Sequence, residues 1–243
     1  MYLDTADPGQ SAELFEGGSR EGDCPYILAK IVKPGWTCID IGASLGFYAL
    51  IEGNCGAKVY AIEANPSNAD ILRKSVALNS HDIEVYNFAA GNKFGKARFM
   101  QDHKSNRGFM IDMVAHRPGG IKEVTVEERT LDSFVADHAI GHIDLLRFDI
   151  DGYEREMIEG AQQTLADMPL GSWIFAELHP RCFDNPVKDL KPSLDCIIEN
   201  GFVPRKGVGP GEQLAKVSAS DFALECCTTY SKAAPLVFME KCE

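Results

Sequence analysis

The sequence has no Cys-x-x-Cys pair, no run of Lys and Arg, and no apolar stretch long enough to span a bilayer. Each absence removes a class of protein. Without cysteines at ligand spacing, a zinc site is not expected. Eight scattered cysteines instead fit a reducing, intracellular setting. Without a long apolar run, no membrane span is expected. The opening residues, MYLDTADPGQSAELFEGGSREGD, lack both a basic n-region and an apolar h-region, so they do not read as a signal peptide and a cytoplasmic protein is expected. The formal net charge is −12. Phosphates are repelled by such a surface, so no non-specific nucleic-acid binding is expected. There is no internal repeat and no low-complexity tract. What remains is a 243-residue chain, 45% hydrophobic and 25% charged. That size and balance suit one large α/β domain with a buried core.

Residues 1–22, rich in Gly, Asp, Glu and Ser, read as a flexible leader. Behind them strands and helices alternate. A short helix is predicted over 25–32, stopped by Pro34-Gly35. Strands are predicted at 36–41, 58–63, 83–90, 143–150 and 172–178, with late strands at 201–206 and 235–241. Helices are predicted at 45–54, from Pro66 to about residue 79, at 130–139, at 153–167 and at 193–200. Asn65 is placed to cap the second of these, with Pro66 at its first position. Residues 96–100 and 122–128 look like a hairpin-type pair around a long polar loop, and 207–220 reads as loop. Such alternation implies a mostly parallel, doubly wound sheet with helices on both faces. Ligands then bind beyond the carboxyl ends of the strands.

The first such end is CIDIGASLGFY, residues 38–48. Glycines at a strand–helix turn let the backbone approach a ligand closely. The dinucleotide fingerprint is G-x-G-x-x-G, and Ser44 and Phe47 stand where its second and third glycines would be. Asp40 ends the strand. A pyrophosphate beside it would face like-charge repulsion on the order of 4 kcal/mol. A ligand carrying positive charge is favoured instead, and S-adenosylmethionine has a sulfonium and an ammonium. Glu63 ends the second strand 23 residues after Asp40. That is the place of a carboxylate that hydrogen-bonds a ribose diol. The bland alternative is that Asp40 and Glu63 are loop or cap carboxylates.

The second cluster is IDLLRFDIDGYE, residues 143–154. Alternation puts Arg147 and Asp149 on one face of the strand. A buried guanidinium needs a carboxylate, and Asp149 or Glu177 qualifies. The pair is either a structural ion pair or a device that orients donor or substrate. Asp151 and Glu154 follow at the turn, where either may serve only the helix dipole. AELHP, residues 176–180, places Glu177 and His179 on one face if the chain stays extended. His179 is the candidate general base near neutral pH. The loop 102–120 is long enough to be a binding segment. Its His103, Lys104, Asn106, Arg107 and His116 are candidates for contact with a polar substrate.

These stretches together resemble the FkbM-type S-adenosylmethionine-dependent methyltransferases over roughly residues 25–205. The resemblance rests on IDIGASLGFYAL, AIEANPSNADILRKSVALN, RTLDSF and LLRFDIDGYEREMIEGA, with AELHP as a weaker match. It implies a class I methyltransferase fold, Rossmann-like, with a seven-stranded sheet whose last strand is antiparallel. Residues 23–243 would then be a single methyltransferase domain. By the resemblance, S-adenosylmethionine is the cofactor. Asp40, Gly42, Ala43, Gly46, Tyr48, Glu63, Asn65, Ala90 and Asp149 would line its pocket. Asp149 and Asp151 would stand at the methyl-transfer mouth with His179, the three forming the catalytic set. Asn106, Arg107, Arg147 and Glu177 would meet the acceptor, a small molecule or saccharide. The family usually has Lys where this chain has Arg147, and Arg is not a pKa-tunable group. Family members mostly methylate hydroxyl oxygens, and no NPPY-type tetrapeptide of amino-methylating enzymes follows the fourth strand. No metal ligand is assigned, although Asp149, Asp151 and Glu177 are hard oxygen donors of the kind that suits Mg²⁺. Two rivals remain: a donor-binding module without chemistry, and an NAD-dependent oxidoreductase, which Asp40 and the missing glycines oppose.

Overall fold

The computed structural model describes residues 1–102, 108–110, 121–209, 212–214, 219–230, 232 and 234–242. The chain divides into two compact units, Met1–Ala89 with Gly95–Glu128, and Ala90–Phe94 with Arg129–Glu243. In chain order, the first part carries α1 (Gln10–Gly17), α2 (Cys24–Ile31), β1 (Thr37–Ile41), α3 (Phe47–Asn54), β2 (Lys58–Ile62), α4 (Pro66–Ala77), β3 (Ile83–Tyr86), β4 (Ala89–Ala90), β5 (Gly95–Asp102), β6 (Gly108–Met110) and β7 (Ile121–Arg129). The rest carries α5 (Leu131–Asp137), β8 (Leu145–Phe148), α6 (Glu154–Glu159), α7 (Gln162–Asp167), β9 (Trp173–Glu177), α8 (Pro186–Asp189), α9 (Lys191–Glu199), β10 (Phe202–Gly209), β11 (Glu212–Leu214), α10 (Ala219–Thr228) and β12 (Leu236–Lys241).

In the first unit β1, β2 and β3 run parallel, with Asp40 opposite Ala61 and Ile62 opposite Tyr86. Residues Cys38 to Ile41 are all buried, as expected of a parallel strand covered on both faces. Ile39, Ile41, Leu45, Ile62 and Leu72 are among its largest fully buried side chains. Each contributes about 1.5–3 kcal/mol by leaving water. The third strand was predicted to run to residue 90. It breaks after Tyr86 because the Asn87 amide turns aside to donate to the carbonyls of Glu63 and Ala64, at 2.7 and 3.1 Å. The sequence-predicted pair at 96–100 and 122–128 is present as antiparallel β5 and β7, and β6 pairs with the other edge of β5.

Residues 1–22 are part of this unit. They hold α1, with Ser11 and Leu14 buried. Asp7 accepts from the amides of Gly9 and Ser11 and so starts the helix. The Tyr2 amide donates to Ser75 Oγ at 2.8 Å. The Tyr2–Ser75 bond is polar and long-range, and no apolar periodicity announces it.

In the second unit β8 and β9 are parallel, β12 lies antiparallel between β9 and β10, and β11 adds a short antiparallel partner to β10. The expected antiparallel last strand is therefore β12. β11 is an extra strand where loop was expected, and α10 begins at the end of that stretch and runs on through residues given no element. Phenylalanine fills this core: Phe134, Phe148, Phe175, Phe202 and Phe238 are fully buried, and Phe175 stacks on Phe238 at 4.2 Å. The helix predicted over 153–167 is two helices. Gly160 breaks it, because a Cβ there would lie 1.9 Å from the Gly91 carbonyl oxygen. The Asp132 carboxylate then accepts from the amides of Gln163 and Thr164 and starts α7 afresh. Among the described residues no helix is long and apolar enough to cross a membrane.

Candidate active site

The first unit carries the donor cradle. Beyond β1 the chain turns through Gly42, Ser44 and Gly46, all left-handed, with φ of 74°, 51° and 92°. Gly42 and Ala43 donate their amides to the Ile62 carbonyl, at 2.9 and 3.1 Å, which folds the turn over the end of β2. There Glu63, almost fully buried, accepts from the Ser44 amide on one oxygen and from the Asn65 amide on the other, both at 2.7 Å. The two amide bonds hold the carboxylate as a fixed fork at the end of β2. Asn65 accepts with Oδ1 from the Ser67 amide at 3.0 Å, capping α4. That bond leaves its Nδ2 as a donor, buried and without a hydrogen-bond partner among the described residues. A buried orphan donor is costly unless a ligand satisfies it. Asp40 is wholly buried in β1. Tyr48 is buried too, and its hydroxyl donates to Glu21 of the N-terminal segment at 2.6 Å. Ser44 Oγ donates to Gln10 of α1 at 2.6 Å. The sequence-named residues Asp40, Gly42, Ala43, Gly46, Tyr48, Glu63 and Asn65 are thus gathered in one unit. Gln10, Glu21 and Ser44 were not foreseen, because nothing in the leader's composition marks them.

The cradle fits S-adenosylmethionine: a rigid acid for the ribose, an unspent amide donor, and a glycine turn ending beside a carboxylate.

The second unit carries an imidazole among carboxylates. His179 follows β9 and is 1% exposed. Its Nδ1 lies 2.7 Å from Glu154 Oε1, and Glu154 is itself wholly buried. Its Nε2 faces Asp151 at 3.5 Å, Glu177 at 3.6 Å and Asp149 at 3.9 Å. Burial alone would lower the imidazole pKa, but the hydrogen bond to Glu154, the nearby Glu177 carboxylate and the charges of Glu154 and Asp149 outweigh it, and the pKa is raised well above the usual range. Arg147 is buried in β8, donates to Asp149 at 3.3 Å, and lies over the Phe175 ring at 5.7 Å. Asp149 is thus a partner of that guanidinium, as the strand alternation implied. Asp151 sits at φ 46°, left-handed, and its side chain is 45% exposed. Asp149, Glu177 and His179 present one ligand atom each within 4.8 Å of one another. Ala90 is a buried residue of the same unit. Glu154 was read only as a first-turn acid. Its place three residues after Asp151 was the one available signal. Asn106 and Arg107, with His103, Lys104 and His116, lie outside the described residues.

A parallel α/β sheet with this cradle defines a class I methyltransferase domain that depends on S-adenosylmethionine. The chain belongs to the methyltransferase FkbM domain family, whose sequence profile matches residues 40–198. It is 24% identical over 176 residues to the 31-O-demethyl-FK506 methyltransferase FkbM of Streptomyces tacrolimicus, covering 61% of this chain and 67% of that protein. It is 33% identical over 82 residues to the ribosomal protein L11 methyltransferase of Caldicellulosiruptor saccharolyticus, which covers 32% of this chain and only 26% of that protein. Among solved structures, an rRNA methylase from Streptococcus thermophilus superposes with a TM-score of 0.51 at 13% identity, over 90% of this chain and 94% of that one. That likeness is one of fold.

Proposed function

We propose that the protein transfers the methyl group of S-adenosylmethionine to a hydroxyl oxygen of a sugar, glycolipid or other small natural product. The observation that carries this reading is Glu63, pinned through both oxygens by the Ser44 and Asn65 amides at the end of β2. Such a fork is ready to accept from a ribose diol without reorganising. The hydroxyl acceptor is supported by the acids that follow β8, Asp149 and Asp151, where an amine-methylating enzyme would carry an NPPY-type segment. It is supported as well by the Streptomyces tacrolimicus relative, named as the methyltransferase of an O-demethyl compound.

In this reading the donor supplies an electrophilic methyl, and the chain supplies alignment and a proton acceptor. Alignment of attacking oxygen, methyl and sulfur accounts for much of the acceleration. Asp151, the more open acid of the second cluster, takes the hydroxyl proton as the oxygen attacks. Arg147 holds Asp149 in place, and His179 stands among the carboxylates that surround it. Asn106 and Arg107 are kept as acceptor contacts on sequence grounds.

The test is calorimetric titration with S-adenosylhomocysteine, with NAD⁺ in parallel. Micromolar binding of the thioether product is expected, at least tenfold weaker in Glu63→Ala, with no NAD⁺ binding. Folded protein that ignores S-adenosylhomocysteine would overturn the donor site. With an acceptor in hand, Asp151→Asn should lower kcat at least a hundredfold while product affinity holds. Transfer to amines alone would sink the hydroxyl reading.

A further inference from the structure

We propose that Asp149, Glu177 and His179 form a binding site for one divalent cation of the manganese type. The site goes beyond the methyl-transfer reading, since it stands on metal binding whatever the acceptor. His179 Nε2 lies 3.6 Å from a Glu177 oxygen and 3.9 Å from an Asp149 oxygen, and all three ligand atoms fall within 4.8 Å of one another. Charge-assisted hydrogen bonds close to about 2.7–2.9 Å. These pairs stand wider, although the imidazole is 1% exposed. A cation with ligand bonds of about 2.2 Å holds its ligand atoms about 3–4.4 Å apart, and both separations fall in that span.

The far side of the ring carries the second observation. Nδ1 is bonded at 2.7 Å to Glu154, which is wholly buried and also accepts from the Gly152 amide at 3.1 Å. Metal-bound imidazoles have this arrangement: a carboxylate takes the other ring N–H, fixes the ring and raises its basicity as a ligand. A buried acid on Nδ1 dictates that Nε2 is the nitrogen offered to whatever sits among Asp149, Asp151 and Glu177. One imidazole with two carboxylates is borderline in hardness. It suits Mn²⁺ better than Mg²⁺, which prefers oxygen throughout. Asp151, 3.5 Å from the same nitrogen, is within reach as a further oxygen ligand or as the acceptor of a bound water. A hydroxyl bound to a cation there would have its pKa lowered.

The experiment uses the full chain stripped with chelator and titrated with Mn²⁺ alone, following the free-ion signal by electron paramagnetic resonance. One ion per chain with micromolar affinity is expected. Glu177→Gln and Asp149→Asn should each weaken it at least tenfold, while Asp195→Asn, a surface acid paired with Lys191, should leave it unchanged. Circular dichroism checks that each variant is folded. On the unaltered protein, Mn²⁺ should broaden the ring-proton resonances of His179 before those of His81. No saturable binding up to about 1 mM, equal affinity in all variants, or broadening that spares His179 would each overturn the site. Product binding measured without metal stays informative about the donor cradle in every case.

Discussion

Ser44, Gly46 and Asp151 illustrate how much this protein asks of single residues. Ser44 and Asp151 are non-glycine residues in the left-handed region, each at the edge of a proposed site. Such positions cost an L-residue about 1–2 kcal/mol, and they persist where surrounding bonds over-determine them. Ser44 is held by its amide on Glu63 and its hydroxyl on Gln10. Gly46 has a sharper requirement. It has φ of 92°, and a Cβ there would lie 2.2 Å from Leu72 Cδ1. Gly46→Ala should cost about 2–4 kcal/mol, combining backbone strain with overpacking against α4. Urea denaturation reads that as a lower midpoint at unchanged slope, and a loss under about 1 kcal/mol would show that the turn is not so constrained. The sequence made this residue legible through its turn position. It did not make the partner of Glu63 legible, because a backbone amide 19 residues upstream leaves no trace in side-chain type.

At the scale of elements, the strands were the easiest to read and the connections the hardest. β1, β2, β8 and β9 announce themselves as short apolar runs ending in acids, and Asn65-Pro66 declares the start of α4. The break between α6 and α7 was not legible, since Met157, Ile158, Ala161 and Leu165 keep one apolar face across it. A periodicity survives a kink that a close backbone approach imposes. The pairing of His179 with Glu154 was hidden for a related reason. The rotation of α6 that turns Glu154 inward is set by packing, and helical spacing alone leaves it open. α1 was masked by polar composition. Its bond from Ser44 Oγ to Gln10 joins it to the glycine turn. Gln10→Ala and Ser44→Ala should each cost about 0.5–1.5 kcal/mol, and the double variant less than their sum. Hydrogen exchange should then speed up in α1 amides before those of β1. Additive losses, or exchange unchanged in α1, would show that the helix is held by Leu14 and its neighbours alone.

For the molecule as a whole, net charge and cysteine chemistry set the company it keeps. A formal charge of −12 should keep the chain off RNA and DNA of arbitrary sequence at about 0.15 M salt, where such binding rests on phosphate neutralisation. Filter binding or mobility-shift assays check this, and retention of random RNA at micromolar protein would contradict it despite the rRNA methylase likeness of the fold. All eight cysteines are free thiols, so reducing agents should leave the melting temperature unchanged. Asp132 ties the start of α5 to the start of α7. It sits in the RTLDSF stretch that helped mark the family, and its carboxylate accepts from the Gln163 and Thr164 amides and the Thr164 hydroxyl. A genetic screen for lost activity would score Asp132 beside Glu63, though one is a fastener and the other the proposed ligand group. A heat ramp run next to the assay sorts the two, because the fastener's loss is repaired by cooling and the ligand's is not.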